Sequence, residues 1–160
     1  MFSIASSPDL YQKLPTLTIE GRGKIYYINK YESPYLAIEI APQTWNPFNT
    51  ECFFHHYFCI GNGKEVYFVN LYTQEMNVLS CDMYFGYFYK NKNKLYVASN
   101  SQLFCFSSNC QLLWESEKIA IDGVIVNAFL SDCIIVSCEI DPPNHWIEYQ
   151  LSIYTGAVLY

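Results

Sequence analysis

The sequence predicts an all-β protein: one domain of antiparallel strand repeats, arranged as an open, propeller-like half-ring or as a twisted sheet. Three observations carry this. The apolar half of the chain is dominated by Tyr, Phe, Ile and Val, which suit pleated, half-buried surfaces, while the helix formers Ala, Arg and Gln are sparse. Short apolar runs alternate with short polar turns along most of its length. A strand–turn–strand unit also recurs. VYFVNLYTQEMNVL, LFCFSSNCQLLW and EYQLSIYTGAVL share one shape, with starts 37 residues apart (Val66 to Leu103) and then 45 (Leu103 to Glu148). Periods of roughly 40 to 50 residues with several strands each are the signature of propeller blades. A closed propeller needs about 4 to 8 blades. The spacing predicts three units and a partial fourth, hence an open arrangement.

The elements follow in order. Residues 1–23 read as an irregular lead-in containing Pro8, Pro15, Gly21 and Gly23, with a short helical turn started at Ser7 or Pro8. KIYYINKYESPYLAIEIAP (24–42) reads as two strands around a turn at Glu32–Pro34, and QTWNPFNTE (43–51) as a loop stopped at Pro47. FFHHYFCIG (53–61) reads as one strand, with His55 and His56 on opposite faces, followed by a tight turn at Asn62–Gly63 and the strand EVYFVNLY. The cluster YKNKNK (89–94) reads as a solvated turn, KLYVAS and QLFCFS as strands, and DCIIVSCEI (132–140) as the start of the last unit. That unit crosses DPPNHW (141–146) and turns again at Thr155–Gly156. Asp141 is expected to cap the DPPNHW turn, and Trp146 to cover the hinge between its strands. The predicted repeats span about 24–52, 53–93, 94–131 and 132–160.

Composition restricts function. There is no stretch of apolar residues long enough for a membrane helix, and the opening MFSIASSPDLYQKL lacks the basic and apolar regions of a signal peptide, so a cytoplasmic protein without a membrane partner is expected. Seven cysteines, an odd number with no C-x-x-C pair, sit mostly in apolar runs and read as reduced, buried side chains. No nucleophile elbow, phosphate loop, dinucleotide fingerprint or zinc-protease motif is present. The chain is therefore read as a non-enzyme without catalytic residues, metal or cofactor.

Charge supplies the positive clue. Residues 1–94 hold eight Lys/Arg and eight Asp/Glu, whereas residues 95–160 hold Lys118 against Glu115, Glu117, Asp122, Asp132, Glu139, Asp141 and Glu148. The whole net charge of −6 thus lies in the C-terminal part. Such a surface repels nucleic acid and speeds encounter with a basic partner. Glu115, Glu117, Asp122, Glu139, Asp141 and Glu148 are the candidate contacts, with Trp146 and Tyr149 as apolar anchors. A non-catalytic β ligand-binding module, for instance one that stacks carbohydrate on its Tyr and Trp rings, is the alternative.

The stretch LLWESEKIAIDGVIV…CEIDPPNHWIEYQLSIYTGAVL (112–159) resembles small bacterial immunity proteins of contact-dependent growth inhibition and related toxin systems. Trp114, Asp122, Gly123, Val124, Asp141, Pro142, Pro143, Trp146, Thr155 and Gly156 carry the resemblance. Asn144–His145 depart from it, standing where small glycines are more usual. The resemblance implies a cytoplasmic protein that neutralises a cognate toxin, and the charge asymmetry adds that this partner is a basic toxin domain, an RNase or DNase for instance, whose active site the protein covers.

Overall fold

The computed structural model describes residues 1–5 and 14–159, and all of their regular structure is strand. Sixteen strands form four sheets of four. The first contains β1 (Phe2–Ile4), β2 (Thr16–Ile19), β3 (Lys24–Lys30) and β4 (Ser33–Ile40), in the order β1-β3-β4-β2. Its β2 runs parallel to β4; every other pairing among the described residues is antiparallel. The second is a meander of β5 (Thr50–Phe54), β6 (Tyr57–Asn62), β7 (Glu65–Asn70) and β8 (Met76–Ser80). The third contains β9 (Phe85–Asn91), β10 (Lys94–Ser99), β11 (Leu103–Phe106) and β12 (Leu112–Glu115), and the fourth β13 (Val124–Phe129), β14 (Cys133–Asp141), β15 (His145–Ser152) and β16 (Val158–Leu159).

Three apolar interfaces join consecutive sheets, and the period of two along each strand explains how. In β6, Phe58 and Ile60 pack toward the first sheet while Tyr57 and Cys59 pack toward the third. In β10, Leu95 and Val97 face the second sheet while Tyr96 and Ala98 face the fourth. The middle sheets are buried on both faces, so their inner strands are continuous apolar runs rather than alternating ones. An aromatic pair bridges each interface: Tyr26–Phe58 at 5.1 Å between ring centroids, Phe68–Phe106 at 4.6 Å and Tyr96–Phe129 at 4.8 Å. Among the described residues no apolar cluster joins the fourth sheet back to the first, so the stack is open.

Several sequence expectations need correction. The sheets number four, not three and a fraction, because the first strand of each meander was hidden. His55–His56 is a two-residue hairpin turn between β5 and β6, not strand interior. His55 takes φ 52°, a conformation histidine tolerates better than most residues. Likewise the YKNKNK segment supplies the end of β9 and the start of β10 around a turn at Lys92–Asn93, and β13 precedes the unit expected to open at residue 132. The first hairpin turns at Tyr31–Glu32, both at positive φ, with Pro34 already inside β4. The lead-in is not wholly irregular, since β1 and β2 lie within it. The helical turn expected at Ser7 or Pro8 falls outside the described residues.

The Thr155–Gly156 turn lies against the core. Gly156 has φ +74°, and a Cβ there would stand 2.4 Å from Cε3 of Trp114, whose indole N–H donates to the Ile153 carbonyl at 3.3 Å. Gly156→Ala must strain both backbone and indole, and is expected to cost about 1–3 kcal/mol, measured as a lower urea midpoint. An unchanged midpoint would show that Trp114 moves freely.

All seven cysteines are free thiols, six of them buried. Burial pushes Cys138 from the ordinary 9.0 up to about 12, and burial together with the charge of Glu65 does the same for Cys81. A raised pKa favours the neutral thiol in the folded state. That contribution is complete below the unfolded value and is lost as pH rises from there toward the folded one. The urea midpoint is therefore expected to fall between about pH 9 and about pH 11, less steeply in a Cys81→Ala, Cys138→Ala variant. Identical slopes in the two proteins would contradict this.

Candidate functional site

Short loops between sheets converge at one end of the stack, and buried asparagines hold them there. The Asn62 side chain accepts from the Gln43 N–H at 2.8 Å and donates to the Ala41 carbonyl at 3.0 Å, fixing the connection from first to second sheet. The Asn100 side chain accepts from the Met83 N–H at 3.1 Å and donates to the Ile121 carbonyl at 3.4 Å, fixing the next two connections. Asn46, 4% exposed, donates to the carbonyls of Gly63 and Phe85, both at 2.9 Å, and so ties the 43–49 loop to two sheets at once. The sequence reading placed Asn62 in a turn and gave none of these asparagine side chains a role. Their side chains satisfy backbone groups that the short connections otherwise leave without partners.

Between these anchored loops lies a cleft of about 540 Å³. One wall is Trp45 and Phe48 of the 43–49 loop. Another is Tyr84, just before β9, with Tyr87 inside that strand. The floor and far wall are Asp122, Gly123 and Ile125 at the start of β13, with Glu139 and Trp146 across the β14–β15 hairpin. Phe48 stacks on Tyr84 at 5.9 Å and lies 5.5 Å from Tyr87. Four rings of the cleft are exposed: Trp45 at 57%, Tyr87 at 46%, Trp146 at 39% and Phe48 at 36%. Trp146 sits over Gly123, where a Cβ would lie 3.0 Å from the indole.

Two carboxylates enter this aromatic setting. The Tyr84 hydroxyl lies 2.8 Å from both the Asp122 carbonyl and Asp122 Oδ1. Burial, the Asp122 bond and the negative charges of Asp122 and Glu139 hold the Tyr84 phenol well above its ordinary value, so both carboxylates act on one hydroxyl. Glu139 is only 8% exposed and accepts from the Asn144 N–H. The cap of the DPPNHW turn is thus Glu139, not Asp141. A register shift between Glu139 and Asp141 leaves the Asp141 side chain exposed at the hairpin end. No Lys, Arg or His lines the cleft, and neither carboxylate makes an ion pair among the described residues.

Of the eight residues singled out from sequence, Asp122, Glu139 and Trp146 come together here. Glu115, Glu117, Asp141 and Glu148 are exposed but do not line the cleft, and Tyr149 packs half-buried against the core between the third and fourth sheets. Trp45, Phe48, Tyr84 and Tyr87 were missed. The available signal was an aromatic-rich loop, QTWNPFNTE, carrying two large rings where a plain connection carries none. Among the described residues no three metal-ligating side chains converge.

No protein-family model matches the chain, and no curated protein matches it. Among solved structures it is similar to the crystal structure of the computationally designed Ika4 protein, with a TM-score of 0.53 and 11% identity, over 69% of this chain and 68% of that one. The likeness is one of fold.

Asn46→Ala deletes three hydrogen bonds from a buried side chain, the two it donates to Gly63 and Phe85 and the one it accepts from the Phe48 N–H at 2.9 Å. It is expected to lower stability by about 1–3 kcal/mol in urea unfolding and to shift tryptophan emission to the red as Trp45 is released. Unchanged stability and emission would show that the loop is held by other groups.

Proposed function

We propose that this protein acts by binding rather than catalysis, as an immunity-type inhibitor that covers the cationic active-site cleft of a basic toxin domain, such as a nuclease. One observation carries the reading: two carboxylates without a cationic partner share a cleft with four exposed aromatic rings. Aromatic anchors within a polar rim are a common composition of an energetic centre in a protein interface. Glu115, Glu117, Asp141 and Glu148 are exposed and add to the negative charge of residues 95–160, where Lys118, the one Lys or Arg, is paired with Asp82 at 2.7 Å. A field of this kind steers a basic partner and sets its on-rate. The resemblance of residues 112–159 to immunity proteins points the same way. A second reading, sugar binding, is favoured by the exposed faces of Trp45, Tyr87 and Trp146 alone.

The test is inhibition of purified basic nuclease toxin domains, beginning with any encoded beside this chain. A stoichiometric complex and loss of nuclease activity are expected. Association should slow about tenfold or more when Glu115, Glu117, Asp141 and Glu148 are all replaced by Lys, with the difference shrinking at high salt. Tryptophan quenching by neutral saccharides, with no toxin complex, would overturn the reading in favour of the second.

A further inference from the structure

Resting on that reading, we infer that the cleft is a guanidinium pocket which takes one arginine side chain from the surface of the partner protein. The acceptor inventory is the first reason. Asp122 uses Oδ1 for the Tyr84 hydroxyl, and Glu139 uses Oε1 for the Asn144 N–H. Asp122 Oδ2 and Glu139 Oε2 have no hydrogen-bond partner among the described residues. Backbone bonds keep the two residues adjacent: the Ile121 N–H donates to the Glu139 carbonyl at 2.8 Å, and the Glu139 N–H donates to the Gly123 carbonyl at 3.0 Å. Two acidic residues that line one cleft, one of them almost wholly buried, lower their energy when a cation enters.

The walls are the second reason. The cleft is mostly apolar, and its exposed rings present π faces that attract a cation. A guanidinium is flat, weakly hydrated and carries five donors. It can stack on an aromatic ring while forking to two carboxylates. An ammonium offers only a compact, strongly hydrated charge, which cannot stack. A volume near 540 Å³ exceeds one arginine side chain and leaves room for the backbone that presents it. The occupant is thus an arginine at the tip of a protein loop.

The probe is N-acetyl-arginine methylamide, titrated against the full chain and followed by tryptophan fluorescence. The lysine and citrulline analogues serve as comparisons; citrulline keeps the shape but lacks the charge. Saturable binding of the arginine compound is expected, at least fivefold weaker for lysine and absent for citrulline. Asp122→Asn and Glu139→Gln keep the acceptor oxygens that the fold uses, so each should fold with an unchanged urea midpoint and still bind the arginine probe about tenfold more weakly. Equal binding of citrulline and arginine, or full affinity in both variants, would overturn the inference. A toxin complex insensitive to both variants would also overturn it while leaving the inhibitor reading intact. Arginine binding with the expected selectivity but no basic protein partner would keep the pocket chemistry and reject an arginine on a toxin as its occupant.

Discussion

Burial of the two middle sheets on both faces is the constraint on which the rest of this structure depends. Each inner strand of the second and third sheets must supply apolar side chains to two neighbours at once, and β6, β10 and β11 do so without a polar position in the packed stretch. Among the described residues each sheet packs its apolar side chains against the sheet before and the sheet after, and each interface is closed by aromatic side chains from both sides. The connections between sheets are correspondingly short. Their backbone groups cannot all find partners locally, and buried asparagines meet that need.

The cleft is a consequence of the same arrangement. Loops tied down by Asn46, Asn62 and Asn100 bring together residues from the connection between the first and second sheets, the start of β9, the start of β13 and the β14–β15 hairpin. Asp122 and Glu139 meet because backbone bonds zip the segment before β13 onto the end of β14. Tyr84 then links the third sheet to Asp122. A rigid scaffold holding unpaired acceptors among exposed rings is suited to selecting a partner by charge and shape.

The strand class and the open stack were legible because they follow from local properties: Tyr, Phe, Ile and Val content, short apolar runs and a recurring unit. Turns marked by Asn62–Gly63 and Thr155–Gly156 were legible for the same reason. The turn at His55–His56 was not, because neither residue belongs to the usual turn chemistry and the flanking apolar runs merge across it. Missing β5, β9 and β13 shifted the phase of every repeat. Within the site, Asp122, Glu139 and Trp146 were within reach of a charge argument. The role of Glu139 as the hairpin cap was not, since it depends on a register shift that places Glu139 rather than Asp141 beneath the turn. The pairing of Phe48 with Tyr84 and Tyr87 was invisible because it joins positions about forty residues apart through tertiary packing alone.

A positively charged group belongs where Asp122 and Glu139 share an aromatic cleft with no base of their own. A crystal structure of the protein with N-acetyl-arginine methylamide locates that group directly. Expected is a guanidinium lying against one of the Trp45, Tyr87 or Trp146 rings, with its nitrogens within hydrogen-bond distance of both carboxylates. Density for the guanidinium elsewhere on the surface, with the cleft closed by one of the protein's own side chains, would contradict it.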